Sequence, residues 1–152
     1  MIEIDKSQEI SAPIESVWQI IGDLENEQKH WDALRKVRIL SRKDEFTVQR
    51  EASIRRGPMG EAKSIQTLTI DPKQKVSTLT MTDGPMLGTR KILLASDDNG
   101  KKTKIDVIWR FELKGIPGFA QGFVKDNISN VTEKALAAIA EEANSRSVGT
   151  KL

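Results

Sequence analysis

Ile10-Ser11-Ala12-Pro13-Ile14-Glu15-Ser16-Val17-Trp18, followed by Ile20-Ile21, Asp23 and Trp31, reads as three linked pieces. They are the end of a strand, a proline-started amphipathic helix, and a second short acidic helix closing on an aromatic. Upstream, Ile2, Ile4 and Ile10 stand among charged positions, which predicts a first strand over 2–10. Pro13 suits the first turn of a helix, where its missing N–H costs nothing, and Ser11 just before it offers a cap. Val17, Ile20, Ile21 and Leu24 then recur at helical spacing and face a core. Residues 24–31 supply the second helix.

Working outward, the period changes from Leu34 to Leu113. Val37/Ile39, Val48/Ala52/Ile54, Leu68/Ile70, Leu79/Met81, Ile92/Leu94 and Ile105/Val107/Trp109/Phe111 alternate at period two and mark six strands. Turn chemistry separates them at 42–45, 57–60, 71–74, 83–88 and 97–100. Connections this short imply a continuous antiparallel meander. Gly115-Ile116-Pro117-Gly118 then leads into a long helix over about Phe119 to Asn144. One domain over 1–145 is expected, followed by a polar, disordered tail over 146–152.

The opening segment resembles the signature of the START/Bet v 1-like (SRPBCC) superfamily, of the polyketide cyclase/dehydrase and lipid-transport type. The order strand, two short helices, six strands, long helix extends that resemblance over nearly the whole chain. It implies an α+β helix-grip fold. In that fold a seven-stranded curved antiparallel sheet, two short helices and a long C-terminal helix enclose a cavity. The same scaffold serves carriers, receptors, chaperone cofactors and some enzymes, so fold alone does not choose among them.

Composition narrows the classes. A chain of 152 residues can bury one core without staples. With 24 basic and 22 acidic residues the formal charge is +2, too balanced to argue for nucleic acid. Basic runs such as Arg35-Lys36, Arg42-Lys43 and Lys101-Lys102 read as solvated edges and turns. Cysteine is absent, which removes disulfides, thiol nucleophiles and thiolate metal sites. No segment has the apolar length of a membrane span or of a signal peptide. A cytoplasmic address is expected, with transient membrane contact at most, as a monomer or homodimer.

In a meander, successive turns fall at alternate ends of the sheet. One end carries the charged turns 42–45, 71–74 and 97–102. The other carries 57–60, 83–88 and 114–118, with the tripeptide Gly-Pro-Met at both 57–59 and 84–86. By resemblance to plant hormone-receptor relatives, whose loops at these places gate a pocket, Gly57, Pro58, Met59, Gly84, Pro85, Met86, Leu87 and Ile116 are expected at the cavity mouth. Taken singly, each loop is also what any tight turn needs, and apolar tips on a surface are ordinary.

Candidate lining residues come from the last strand and the long helix. Trp109 and Phe111 share a face with Ile105 and Val107, and the helix is expected to turn Phe119, Phe123 and Ile128 toward the sheet. Asn127 follows Phe123 by one helical turn. If the Val48 face of its strand points inward, Arg50 enters the interior, where its fork could pair a carboxylate or phosphate. Gln66 and Ser64 are further polar anchors.

No motif for nucleophilic or metal chemistry is present. His30 is the only histidine, there is no tyrosine, and no nucleophile elbow, dinucleotide-binding or phosphate-loop pattern occurs. No cofactor and no metal are expected. The leading expectation is therefore a carrier or sensor binding a hydrophobic or amphipathic small molecule (lipid, polyketide-like or aromatic). A cyclase or dehydratase acting on a polyketide-like substrate is the second reading, although no catalytic constellation stands out. A protein-interaction module of the chaperone-cofactor type is the third, and its mark would be a filled cavity with an apolar patch on the long helix or loop rim.

Overall fold

The alternation of Ile2, Ile4 and Ile10 with charged residues becomes strand β1 (Ile2–Ile10) in the computed structural model, which describes residues 1–55 and 60–150. Helix α1 (Ile14–Gly22) follows, then a single 3-10 turn (Leu24–Asn26) and the four-residue helix α2 (Glu27–His30). Six further strands succeed one another: β2 (Leu34–Asp44), β3 (Thr47–Arg55), β4 (Glu61–Asp71), β5 (Val76–Asp83), β6 (Met86–Asp97) and β7 (Lys102–Leu113). Helix α3 (Gly118–Thr150) closes the chain and takes in part of the stretch from 146 onward that the sequence reading assigned to a tail.

All seven strands form one antiparallel sheet in the order β1-β7-β6-β5-β4-β3-β2. The six consecutive strands are a meander, and β1 crosses to the far side to pair with β7, Ile4 opposite Trp109. The helix-grip architecture is therefore the one present. Alternation decides which face is buried: Val48, Arg50 and Ala52 on β3, Ser64, Gln66 and Leu68 on β4, and Ile105, Val107, Trp109 and Phe111 on β7 all point inward.

The start of α1 differs from expectation. Pro13, not Ser11, is the capping residue, and no side chain caps the helix. The Pro13 carbonyl receives the amides of Ser16 and Val17 instead. The next helical start does have a side-chain cap, since Asp23 Oδ1 accepts from the Glu25 amide at 3.1 Å. Helix α1 is fastened to the end of the sheet that carries the β4–β5 and β6–β7 turns. There Lys75 Nζ lies 3.2 Å from Glu15 and 5.7 Å from the Trp18 ring centre, and Thr103 Oγ1 donates to the Ala12 carbonyl.

Helix α3 has 33 residues, about 50 Å of rise, against about 40 Å for the longest strands. It packs through Thr132, Ala135, Leu136, Ile139, Ala140 and Ala143, all buried. Its leading turns do not join that face. Phe119 is 92% exposed and Phe123 75% exposed. The reason is angular: at about 100° per residue, Phe123 lies about 140° and Phe119 about 180° around the helix from Ile128. These three cannot share one stripe, so the expected inward placement of Phe119 and Phe123 is corrected. Asn127 is likewise exposed. Among the described residues no helix is long and apolar enough to cross a membrane.

Candidate functional site

An inward position on a sheet normally holds an apolar side chain. Two such positions hold arginine. Arg50 on β3 is 1% exposed and Arg90 on β6 is 5% exposed. Both reach the same carboxylate, Glu27, at the start of α2. Arg50 makes a fork onto it, Nη1 to Oε2 at 2.7 Å and Nη2 to Oε1 at 2.8 Å. Arg90 Nη2 lies 3.4 Å from Oε1. Strand pairing sets Arg50 opposite Gln66, and that register carries the network onward. Arg50 Nε donates to Gln66 Oε1 at 2.9 Å, and Gln66 Nε2 donates to Ser64 Oγ at 3.2 Å.

The electrostatics follow from this geometry. Burial pushes the Glu27 carboxyl upward, but hydrogen bonds from Arg50 and the charges of Arg90 and Arg50 outweigh it, so it titrates below its ordinary value. Burial pushes the Arg90 guanidinium down, and Glu27 pulls it back while Arg50 pushes it down again. A guanidinium keeps its proton at any physiological pH. Two positive groups therefore share one negative group in the interior, an excess of one charge. The indoles offset part of that excess, because the Arg90 guanidinium sits 4.6 Å from the Trp31 ring centre and 5.7 Å from that of Trp109.

Trp31 and Trp109 meet edge to face at 6.0 Å, and Trp109 meets Phe111 the same way at 6.1 Å. Trp109 Nε1 donates to Thr132 Oγ1 at 3.0 Å, which fixes the wall to α3. Beside the cluster, between the helical stretch 20–31 and strands β4 to β6, lies a cavity of about 20 Å³. That is room for one water. Ile20, Leu24, Leu68, Ile92 and Ile139 give it apolar walls, while Glu27, Ser77 and Arg90 make a polar end. His30 and Trp31 also face it. His30 sits 3.7 Å from Glu142 on α3, and burial lowers its pKa more than Glu142 raises it, Lys29 lowering it further.

Several sequence-derived candidates converge here and others do not. Arg50, Gln66, Trp109 and Phe111 all stand on the inner face. Phe119, Phe123 and Asn127 lie outside it. Gly57, Pro58 and Met59 lie outside the described residues. Gly84, Pro85, Met86, Leu87 and Ile116 are half-buried, and Met86 already belongs to β6, opposite Leu113. The Pro85 carbonyl accepts from the Lys114 amide at 2.9 Å, so the β5–β6 turn is tied to the segment before α3. Gly84, at φ +124°, is needed there, since a side chain would meet the Lys63 carbonyl at 2.8 Å.

The cavity lies under the bend between α1 and α2, and Gly84, Pro85, Met86, Leu87 and Ile116 do not line it. Glu27, Arg90, Ser77 and Trp31 were missed as site residues. Arg90 had a legible signal: it shares parity with Ile92 and Leu94 on one strand, a charge in an apolar row. Glu27 had none, being one acid among Asp23, Glu25 and Glu27 in a short polar stretch. Among the described residues no group of three or more His, Asp or Glu is placed to hold a metal ion.

Comparison with known proteins bears on the family and the fold of the chain. Residues 1–144 match the profile of a family described as polyketide cyclase / dehydrase and lipid transport. No curated protein sequence matches the chain. Among solved structures, TTHA0849 from Thermus thermophilus is similar with a TM-score of 0.81 at 16% identity, over 96% of this chain and 99% of that one. The Zhui aromatase/cyclase from Streptomyces sp. R1128 gives 0.81 at 14%, over 95% and 94%. A START superfamily protein from Mycobacterium smegmatis gives 0.74 at 16%, over 94% and 97%. At such identities the likeness is one of fold.

Proposed function

We propose, from the premise that the chain belongs to the polyketide cyclase / dehydrase and lipid transport family, that it is a carrier or sensor for an amphipathic small molecule. The ligand occupies an enlarged form of the cavity between residues 20–31 and strands β4 to β6. Its apolar body lies along Ile20, Leu24, Leu68 and Ile92, and its polar end meets the ionic cluster. The observation that carries this reading is the cluster itself. A sealed structural core gains nothing from two buried arginines on one carboxylate, because desolvating each ion costs several kcal/mol. An amphipathic lining with a charged end is what a ligand site needs.

At about 20 Å³ the cavity must widen to admit anything beyond water. The lightest cover is the 3-10 turn Leu24–Asn26. Ile21 and Leu24 are half-buried and Asp23 is exposed, so this end already reaches the surface. Native mass spectrometry of protein purified from its own host, paired with thermal-shift measurements across acidic and neutral amphiphiles, tests the proposal. A co-purifying small molecule or a saturable stabilisation supports it. Neither one, in both experiments, overturns it.

A second reading, cyclase or dehydratase chemistry in the same pocket, is favoured by one observation. His30 faces the cavity, and its lowered pKa keeps it neutral near pH 7 and able to accept a proton. The arginines cannot act as bases, and Glu27 is held ionised between them. This reading predicts turnover that His30→Gln abolishes without loss of ligand binding. The exposure of Phe119 and Phe123 favours instead an interaction surface on α3, which would require no ligand at all.

A further inference from the structure

The two buried arginines are not equivalent. Each nitrogen of Arg50 has a partner: its two Nη groups fork onto Glu27 and its Nε donates to Gln66, so three contacts between 2.7 and 2.9 Å lock it in place. Gln66 is in turn held by Ser64. Arg90 has one contact with the shared carboxylate, at 3.4 Å, and its Nε is fully buried without any acceptor in the protein. It is also Arg90, not Arg50, that forms part of the cavity wall. A buried guanidinium N–H with no partner costs the desolvation of a charged donor. The Trp31 and Trp109 rings offer π-faces to the cation but no lone pair in the plane of the fork.

From this asymmetry we infer that Arg90 is an anion-binding subsite, and that the ligand presents a carboxylate, or an enolate or phenolate oxygen of equal charge, to its open donors. The inference rests on the proposed ligand pocket and adds the charge of the ligand and the residue that reads it. Arg50, Gln66 and Ser64 act as positioning residues. They fix Glu27, and Glu27 holds Arg90 through Nη2 while its Nε is left without an acceptor. With the anion in place, two cations face two anions and the interior charge closes to neutrality. A phosphate monoester fits less well, since a second negative charge would leave the cluster overcompensated.

The subsite can be tested with octanoate and octanamide, which share a chain and differ in the charge of the end group. Binding is followed by amide chemical-shift titration of the intact protein. Octanoate is expected to perturb β6 around Arg90 and to bind at least about tenfold more tightly than octanamide, the scale of one charge-assisted hydrogen bond. Arg90→Met should bring the two probes to parity, with octanoate losing about tenfold more affinity than octanamide. Should Arg90→Met fail to fold, the Nε–H resonance of Arg90 in the unmodified protein gives the same answer: octanoate shifts it and octanamide does not. Equal affinities for the two probes overturn the anion subsite and leave the pocket standing. A preference that survives in Arg90→Met, or an Arg90 Nε–H that ignores octanoate, also overturns it. Binding of neither probe removes the subsite together with the pocket.

Discussion

Replacing Glu27 with glutamine is the most direct test of the buried ionic cluster. The substitution keeps size and shape but leaves two guanidinium groups facing each other with no counter-charge. Three contacts are affected, at 2.7, 2.8 and 3.4 Å. Two unit charges about 4 Å apart in a medium of effective dielectric about 20 attract by about 4 kcal/mol. Part of this returns because the carboxylate no longer has to be desolvated, and glutamine still accepts one hydrogen bond. Breaking a buried pair from one side costs about 3–5 kcal/mol, and two stranded cations place Glu27→Gln in that range. With a urea dependence of about 2 kcal/mol per molar, the unfolding midpoint should fall by about 2 M. Equilibrium urea unfolding at neutral pH, with the slope checked for constancy, is the assay. A fall of under about 0.5 M would mean that water already screens these charges and that the cluster is not a buried one. Adding Arg90→Met to Glu27→Gln removes the surplus cation, so the double variant should recover part of the loss.

Arg90→Met alone should cost about 1 kcal/mol or less by the same unfolding assay, since it leaves the Arg50–Glu27 fork neutral and fills the space with an apolar chain. Stability against pH should fall on acidification: the folded pKa of Glu27 lies below its unfolded value, so its contribution is complete above the ordinary carboxylate range and is lost as pH drops through the folded pKa. His30 acts in the same direction at higher pH, because its lowered folded pKa makes protonation below the ordinary histidine value favour the unfolded chain; His30→Gln should flatten that upper part of a thermal melting profile. Phe119→Ser and Phe123→Ser should each change stability by no more than about 0.5 kcal/mol, where a lining position would lose several times that. Gly84→Ala should cost about 1–3 kcal/mol in chemical denaturation, through its positive φ and the approach of the Lys63 carbonyl.

Legibility in the sequence followed the physical range of each interaction. The strands could be read because alternation at period two is local: Ile105, Val107, Trp109 and Phe111 needed no other part of the chain to declare their shared face. Arg50 and Gln66 could be read by the same parity as inward candidates. The long helix misled at its start, where Phe119 and Phe123 are a pair at i, i+4 but fall out of phase with Ile128. A pair of apolar residues sets a stripe only when it continues in phase into the next turn.

The order of elements and the single curved antiparallel meander were written in the chain, because hydrophobic period, turn residues and short connections act between near neighbours. The site emerged only from folding. Glu27, Arg50 and Arg90 are separated by tens of residues, and no local rule brings one acid of a four-residue helix against two strands. The crossing of β1 to β7 and the seating of the α1–α2 bend over the sheet place them together. Their charges then matter because burial removes the water that would have screened them.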